Sequence, residues 1–134
     1  MKAYTLGLYE KAMPNWLSIP EKLELTAKCG FDRMEISVDE TDAKLARLDF
    51  SEKQMLDIAR ASQDTGVPIS TMCLSGHRKY PFGSHDPAGV LRSLEIMEKA
   101  LVFGAAIGVK IIQLAGYELS GTITVAEGVT LYGM

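Results

Sequence analysis

The sequence predicts an α/β fold of parallel strand–helix units, with four strands and three helices. Three observations predict it. Short apolar runs alternate with helical segments along the chain. Strand starts fall roughly thirty to forty residues apart, the spacing of successive strand–helix units. No two runs are joined by the Asn-Gly or Asp-Gly turn of a tight hairpin. Nearly unbroken apolar strands imply a parallel sheet covered on both faces. Pattern alone leaves two closures open, a doubly wound sheet or part of a (βα)8 barrel. A complete barrel takes about 250 residues, so 134 residues supply about half of one.

Each element has its own local signal. Residues 4–8 form a short apolar run suited to a strand. Ser18 with Glu21 makes a capping box, Pro20 fits the first helical turn, and Gly30 supplies the left-handed stop. Residues 31–38 read as the second strand, followed by a polar loop over 39–49. Ser51 and Gln54 repeat the capping box, Met55, Ile58, Ala59 and Ser62 mark one helical face, and Thr65-Gly66 ends it. Residues 68–74 form the third strand. Asp86-Pro87 opens a helix whose inward stripe is expected at Leu94, Met97, Leu101 and Ala105, with Gly104 as a packing site and Gly108 as the stop. Residues 109–115 form the fourth strand. The tail, 118–134, has strand propensity where a fourth helix is due.

Bulk properties narrow the function classes. The net charge of −3, with both signs interspersed, disfavours nucleic-acid binding. No run approaches the ~20 apolar residues of a membrane span, and the N-terminus has no signal-peptide pattern. A cytoplasmic protein is expected. Cys29 and Cys73 are too few for a disulfide framework, lack metal-site spacing and read as buried reduced thiols.

The chemistry-bearing residues gather where strands end. The third strand opens into Cys73-Leu-Ser-Gly-His-Arg-Lys-Tyr-Pro-Phe-Gly-Ser84. His77, Arg78 and Lys79 there could meet an anion, Arg78 by paired N–H bonds and Lys79 as a point charge. Glu10 and Lys11 follow the first strand, as substrate contacts or as an exposed ion pair. Glu35, a carboxylate within an apolar strand, must be paired or solvated: it is a substrate acceptor or a partner of Lys110. Gln113 on the fourth strand poses the same choice. Tyr9, Phe82 and Tyr117 are pocket walls or packing groups, Trp16 a loop anchor, and the methionines core filler.

Six segments in register carry a resemblance: Gly7-Leu-Tyr-Glu-Lys11, Met34-Glu-Ile-Ser-Val-Asp-Glu40, Met72-Cys-Leu-Ser75 with His77-Arg78, Pro81-Phe-Gly-Ser84, Ser93-Leu-Glu-Ile-Met-Glu-Lys99 and Ile112-Gln-Leu-Ala-Gly-Tyr117. Together they resemble the L-ribulose-5-phosphate 3-epimerases, also called L-xylulose-5-phosphate 3-epimerases, of the xylose-isomerase-like TIM barrels. The resemblance implies half of a (βα)8 barrel over residues 1–117, with 118–134 a divergent tail. It implies an isomerase interconverting L-xylulose 5-phosphate and L-ribulose 5-phosphate at C3, in L-ascorbate-type pentose catabolism. It also implies a divalent metal held by two glutamates, an aspartate and a histidine on the second half of the barrel. The likeness ends at Glu118, before any of these. The expectation is therefore a truncated form without metal or catalytic residues of its own, inactive alone, that binds pentulose 5-phosphate or phosphate weakly through His77, Arg78, Lys79, Glu10, Glu35 and Gln113. The other reading is a non-catalytic half-barrel that buries its open edges in a homo-oligomer or against another subunit. A DNA-repair endonuclease of the same superfamily is disfavoured by the acidic balance.

Overall fold

The computed structural model describes residues 2–114. The expected tail, 118–134, and Tyr117 lie outside them. Four parallel strands form one sheet in the order β1 (Gly7–Tyr9), β2 (Arg33–Val38), β3 (Ile69–Leu74), β4 (Ile111–Leu114). The helices are α1 (Ile19–Lys28), α2 (Asp42–Leu45), α3 (Glu52–Thr65) and α4 (Pro87–Ile107). α1 packs on α3, and α3 on α4. Doubly wound sheets reverse their strand order at a switch point. This one runs without reversal, beneath helices that follow one another side by side, and that is barrel topology.

The caps form as the sequence predicts. The Ser18 hydroxyl accepts from Glu21 N–H at 3.3 Å, and the Glu21 carboxylate accepts from Ser18 N–H at 2.7 Å. Ser51 and Gln54 repeat the exchange at 3.2 and 2.9 Å. Asp86 accepts from Ala88 N–H at 3.1 Å. Gly66 at φ +70° and Gly108 at φ +96° end α3 and α4 in the left-handed conformation that side chains resist.

The core lies between the sheet and its helices. Met34, Ile36 and Val38 of β2 alternate with polar neighbours, as do Met72 and Leu74 of β3. They pack with Leu23, Ile58, Ile96, Ala100, Phe103 and Ile107 from the helices. The opposite face carries Tyr9, Glu35, Ser37, Thr71, Cys73 and Gln113. Among the described residues no helix covers it, so the expectation of a sheet covered on both faces is corrected.

Five further expectations are revised. Pairing in the first strand starts at Gly7, because the Leu6 carbonyl accepts from Asp32 and Arg33 N–H and Tyr4 is exposed. The 39–49 loop folds into α2 and a 3-10 turn (Ala46–Asp49), so the described residues hold four α-helices rather than three; Thr41 caps α2 by accepting from Lys44 N–H. The buried face of α4 runs through Ser93, Ile96, Ala100, Phe103 and Ile107, while Leu94 and Leu101 are about half exposed. Trp16 is 83% exposed and anchors nothing. Cys29 is exposed and Cys73 half-buried, both as free thiols. No helix among the described residues is long and apolar enough to cross a membrane.

The two faces of α4 give a direct test. Phe103 is fully buried and meets the Phe50 ring edge-on at 6.0 Å. Phe103→Ala should cost about 3–5 kcal/mol in chemical denaturation, whereas Leu101→Ala should change stability by less than about 0.5 kcal/mol. Equal costs would mean that the wrong face has been assigned to the core.

Candidate functional site

The four parallel strands deliver their exits to one edge of the sheet, the end where barrels gather functional groups. β1 leads into Glu10 and Lys11, β2 into Asp39 and Glu40, and β3 into Gly76, His77 and Arg78.

Glu10 has no solvent exposure. Its Oε1 accepts from Lys22 Nζ at 3.2 Å and from Lys44 Nζ. Its Oε2 accepts from Arg47 Nη1 at 2.7 Å and from the Ser37 backbone N–H at 3.0 Å. Burial alone would raise its pKa. The hydrogen bond and charge of Arg47, followed by Lys44 and the Ser37 N–H, outweigh it and bring the carboxyl down to about 2. The Lys44 pKa is lowered as well: burial lowers it, helped by the charges of Arg47 and Lys22, against the pull of Glu10. Glu10 is thus neither an exposed ion pair nor a group that a substrate can reach. It is a structural anchor.

Lys11 binds Asp39 at 2.8 Å. Asp39 also accepts from the Thr41 N–H at 3.0 Å and hydroxyl at 2.6 Å. Burial opposes its ionisation, but Lys11 and Thr41 prevail and hold it at about 2. Beside this pair opens a cavity of about 490 Å³ lined by Lys11, Asn15, Asp39, Thr41, Lys44 and Arg47.

The basic loop divides. His77 is buried, stacks on Phe82 with ring centroids 4.2 Å apart, and lies with Nε2 2.9 Å from the Ser93 carbonyl. It fastens the loop to α4 rather than offering a donor to a ligand. Gly76 lets the loop approach α2, since a Cβ there would stand 3.0 Å from Leu45 Cδ2. Arg78 is about half exposed and bonds Glu40 at 3.1 Å. The Lys79 ammonium lies 5.4 Å from the Tyr80 ring centroid.

On the open face of the sheet, Glu35 accepts from the Thr71 hydroxyl at 2.7 Å, and Lys110 is not its partner. The two line a cavity of about 190 Å³ with Gly7, Tyr9 and Arg33. Tyr9, opposite Glu35 in the sheet register, donates to Ser37 Oγ at 3.2 Å. Burial raises the Tyr9 pKa, and Cys73 adds to the effect. Gln113 is exposed and lies in register with Cys73. Glu35, Gln113, Arg78 and Lys79 are therefore reachable, whereas Glu10 and His77 are not.

Sequence reasoning missed Lys22, Lys44 and Arg47. Lys22 had a signal, because it falls on the apolar face of α1 with Ile19, Leu23 and Thr26. Lys44 and Arg47, three apart, looked like ordinary loop cations.

Among the described residues no three His, Cys, Asp or Glu side chains converge as metal ligands. The divalent metal that the resemblance implies does not fit on these residues.

A four-strand parallel sheet wound in one direction, with polar groups at its strand exits, defines a TIM-barrel protein. The chain belongs to the family described as "Xylose isomerase-like TIM barrel", whose sequence profile matches residues 23–130. It is 50% identical over 119 residues to the putative L-ribulose-5-phosphate 3-epimerase SgbU of Escherichia coli K12, covering 89% of this chain and 42% of that protein. It is also 50% identical over 118 residues to the L-ribulose-5-phosphate 3-epimerase UlaE of several Salmonella strains, again covering 42% of those proteins. The chain thus spans less than half the length of these relatives. The crystal structure of D-psicose 3-epimerase in the presence of D-fructose superimposes with a TM-score of 0.77 at 18% identity, over 96% of this chain and 45% of that one. Escherichia coli 3-keto-D-glucoside 4-epimerase YcjR gives 0.60 at 19% identity, over 96% and 47%. These two likenesses concern the fold alone.

The Glu10 anchor predicts an acid response. A carboxyl whose folded pKa lies below its unfolded value stabilises the fold above the unfolded value and loses that contribution as pH falls. Stability should decline between pH 4.5 and about 2, as followed by denaturant melts across that range. Glu10→Gln, which strands three cations without a counter-charge, should cost about 3–5 kcal/mol and flatten the decline. A wild-type profile that stays level there would remove Glu10 from its anchoring role.

Proposed function

We propose that this chain forms the N-terminal, substrate-receiving half of a barrel that epimerises L-ribulose 5-phosphate and L-xylulose 5-phosphate at C3. The observation that carries the reading is 50% identity, over most of the chain, to L-ribulose-5-phosphate 3-epimerases. The reaction removes the C3 proton, made acidic by the C2 carbonyl, and returns one on the opposite face. Glu35, Gln113, Arg78 and Lys79, on the open face and at the strand exits, are the groups we assign to the sugar. The acid–base pair and metal ligands belong, on this reading, to the barrel half that the relatives carry beyond the matched stretch. A pentulose phosphate is charged and does not cross a lipid bilayer unaided, which supports a cytoplasmic setting.

The 134-residue chain, given L-ribulose 5-phosphate and Mn²⁺ or Mg²⁺, should show no turnover, and metal-dependent turnover would overturn the division between halves. Fused in place of the matching segment of the Escherichia coli relative, it should yield an active 3-epimerase. A folded, inactive fusion would remove the substrate assignment.

A second reading, self-association, is favoured by one observation. Leu91, Leu94, Leu101 and Val102 of α4, with Ile111 and Leu114 of β4, stay exposed among the described residues. Sedimentation should show a dimer that Leu94→Lys with Leu101→Lys dissociates; a wild-type monomer would end this reading.

A further inference from the structure

We propose that the groove between α1 and α3 is a binding site for a small organic monocarboxylate with an apolar body. Arg47 and Gln54 hold its carboxylate, and Phe50 and Ile58 carry its body. The groove has a volume of about 350 Å³, within the range of small-molecule sites. It lies among the helices, outside the sheet, and takes none of the residues assigned to the sugar.

Unused donors are the first argument. The Arg47 side chain is about nine-tenths buried, and its Nη1 alone serves Glu10 and the Ser37 carbonyl. Its Nε and Nη2 N–H groups have no partner among the described residues, and Arg47 lines the groove. Gln54 is in the same position. Its Oε1 accepts from Ser51 N–H to close the capping box, which leaves the amide N–H groups unpaired among the described residues. Guanidinium and amide N–H groups brought to one groove suit an acceptor with two oxygens, and a carboxylate supplies both.

Charge and shape narrow the ligand. Lys22, Lys44 and Arg47 surround the single carboxylate of Glu10, so this corner of the fold carries excess positive charge. Burying like charges together is costly unless a counter-charge joins them. Asp57 at the groove rim does not supply it, because Lys53 holds its carboxylate at 2.9 Å. The floor is apolar: Leu17, Phe50 and Ile58 belong to the hydrophobic core or pack against it. Phe50 is fixed by its edge-on contact with Phe103, so the floor is formed before a ligand arrives. Inorganic phosphate would gain nothing from that floor. An aryl or alkyl carboxylate would bury its body there.

The site does not rest on the proposed function, and either can fail without the other. Arg47 also gives it a reach beyond the groove. The residue lines the cavity at the β1 and β2 exits as well, and its Nη1 anchors Glu10. A carboxylate on the remaining nitrogens therefore bears on the residue that fixes the β1 exit.

The test uses the whole chain, with phenylacetate as the probe. Titrated at low ionic strength, phenylacetate should bind saturably, raise the melting temperature, and shift the backbone amide resonances of Ser18, Phe50 and Gln54. Phenylacetamide keeps the body without the charge, and acetate keeps the charge without the body. Each should bind about tenfold or more weakly than phenylacetate. Gln54→Glu preserves the capping box and sets a carboxylate against the ligand, so it should weaken phenylacetate binding about tenfold or more. Should that variant fail to fold, the wild-type resonance map and the two comparison ligands decide. Absence of saturable binding overturns the site. So do equal affinity for phenylacetamide, shifts confined to residues 75–79, or a folded Gln54→Glu that binds unchanged.

Discussion

An ionised carboxylate sealed from water at the end of the first strand organises this part of the molecule. Transferring a lone carboxylate into a protein interior is prohibitive unless it is paired and hydrogen-bonded. Glu10 meets that requirement from three directions: Lys22 from α1, the Ser37 N–H from β2, and Lys44 and Arg47 from the α2 segment. Each contact fixes the distance between one element and the β1 exit. The first strand pairs with β2 over only three residues, too few to define its position alone. The ion cluster supplies the missing definition.

The cluster also shapes the surface above it. Arg47 is held by Nη1 between Glu10 and the Ser37 carbonyl, which leaves the rest of its guanidinium in a fixed orientation at the cavity. A side chain locked in this way loses less entropy on meeting a ligand than a free surface arginine would. The Lys11–Asp39 pair closes the opposite wall, and the Asp39–Thr41 turn starts α2 at the position from which Lys44 and Arg47 point back to Glu10. Packing of the fold and presentation of charge are accomplished by the same residues.

What the sequence disclosed followed from locality. Capping boxes at Ser18 and Ser51, the Asp86-Pro87 start and the glycine stops all depend on residues a few positions apart, so the chain announces them. The strands were legible for the same reason, as short apolar runs set between helical segments. The face of α4 was misread because Leu94, Leu101 and Ala105 and the buried Ile96, Ala100, Phe103 and Ile107 both repeat at helical spacing. Residues 100–107 of α4 carry no charged side chain, so apolar spacing there does not say which side is buried. The Glu10 cluster was invisible for a different reason. Its members lie twelve to thirty-seven positions from Glu10, and a buried lysine is written with the same letter as a solvated one. Only Lys22, on the apolar face of α1, broke a local pattern.

Stereochemistry sets a limit on what this arc of strands can do. Inverting C3 needs one group to take a proton from one face of the enediolate and a group on the other face to return it. Four adjacent parallel strands, all exiting on one side, approach a bound sugar from a single direction. On the proposed reading their part is to hold the phosphate, orient hydroxyl groups and exclude water along that side. They cannot by themselves flank a carbon. In a complete barrel the opposite flank comes from four further strands, and the proposed reaction depends on those for its second proton-transfer group.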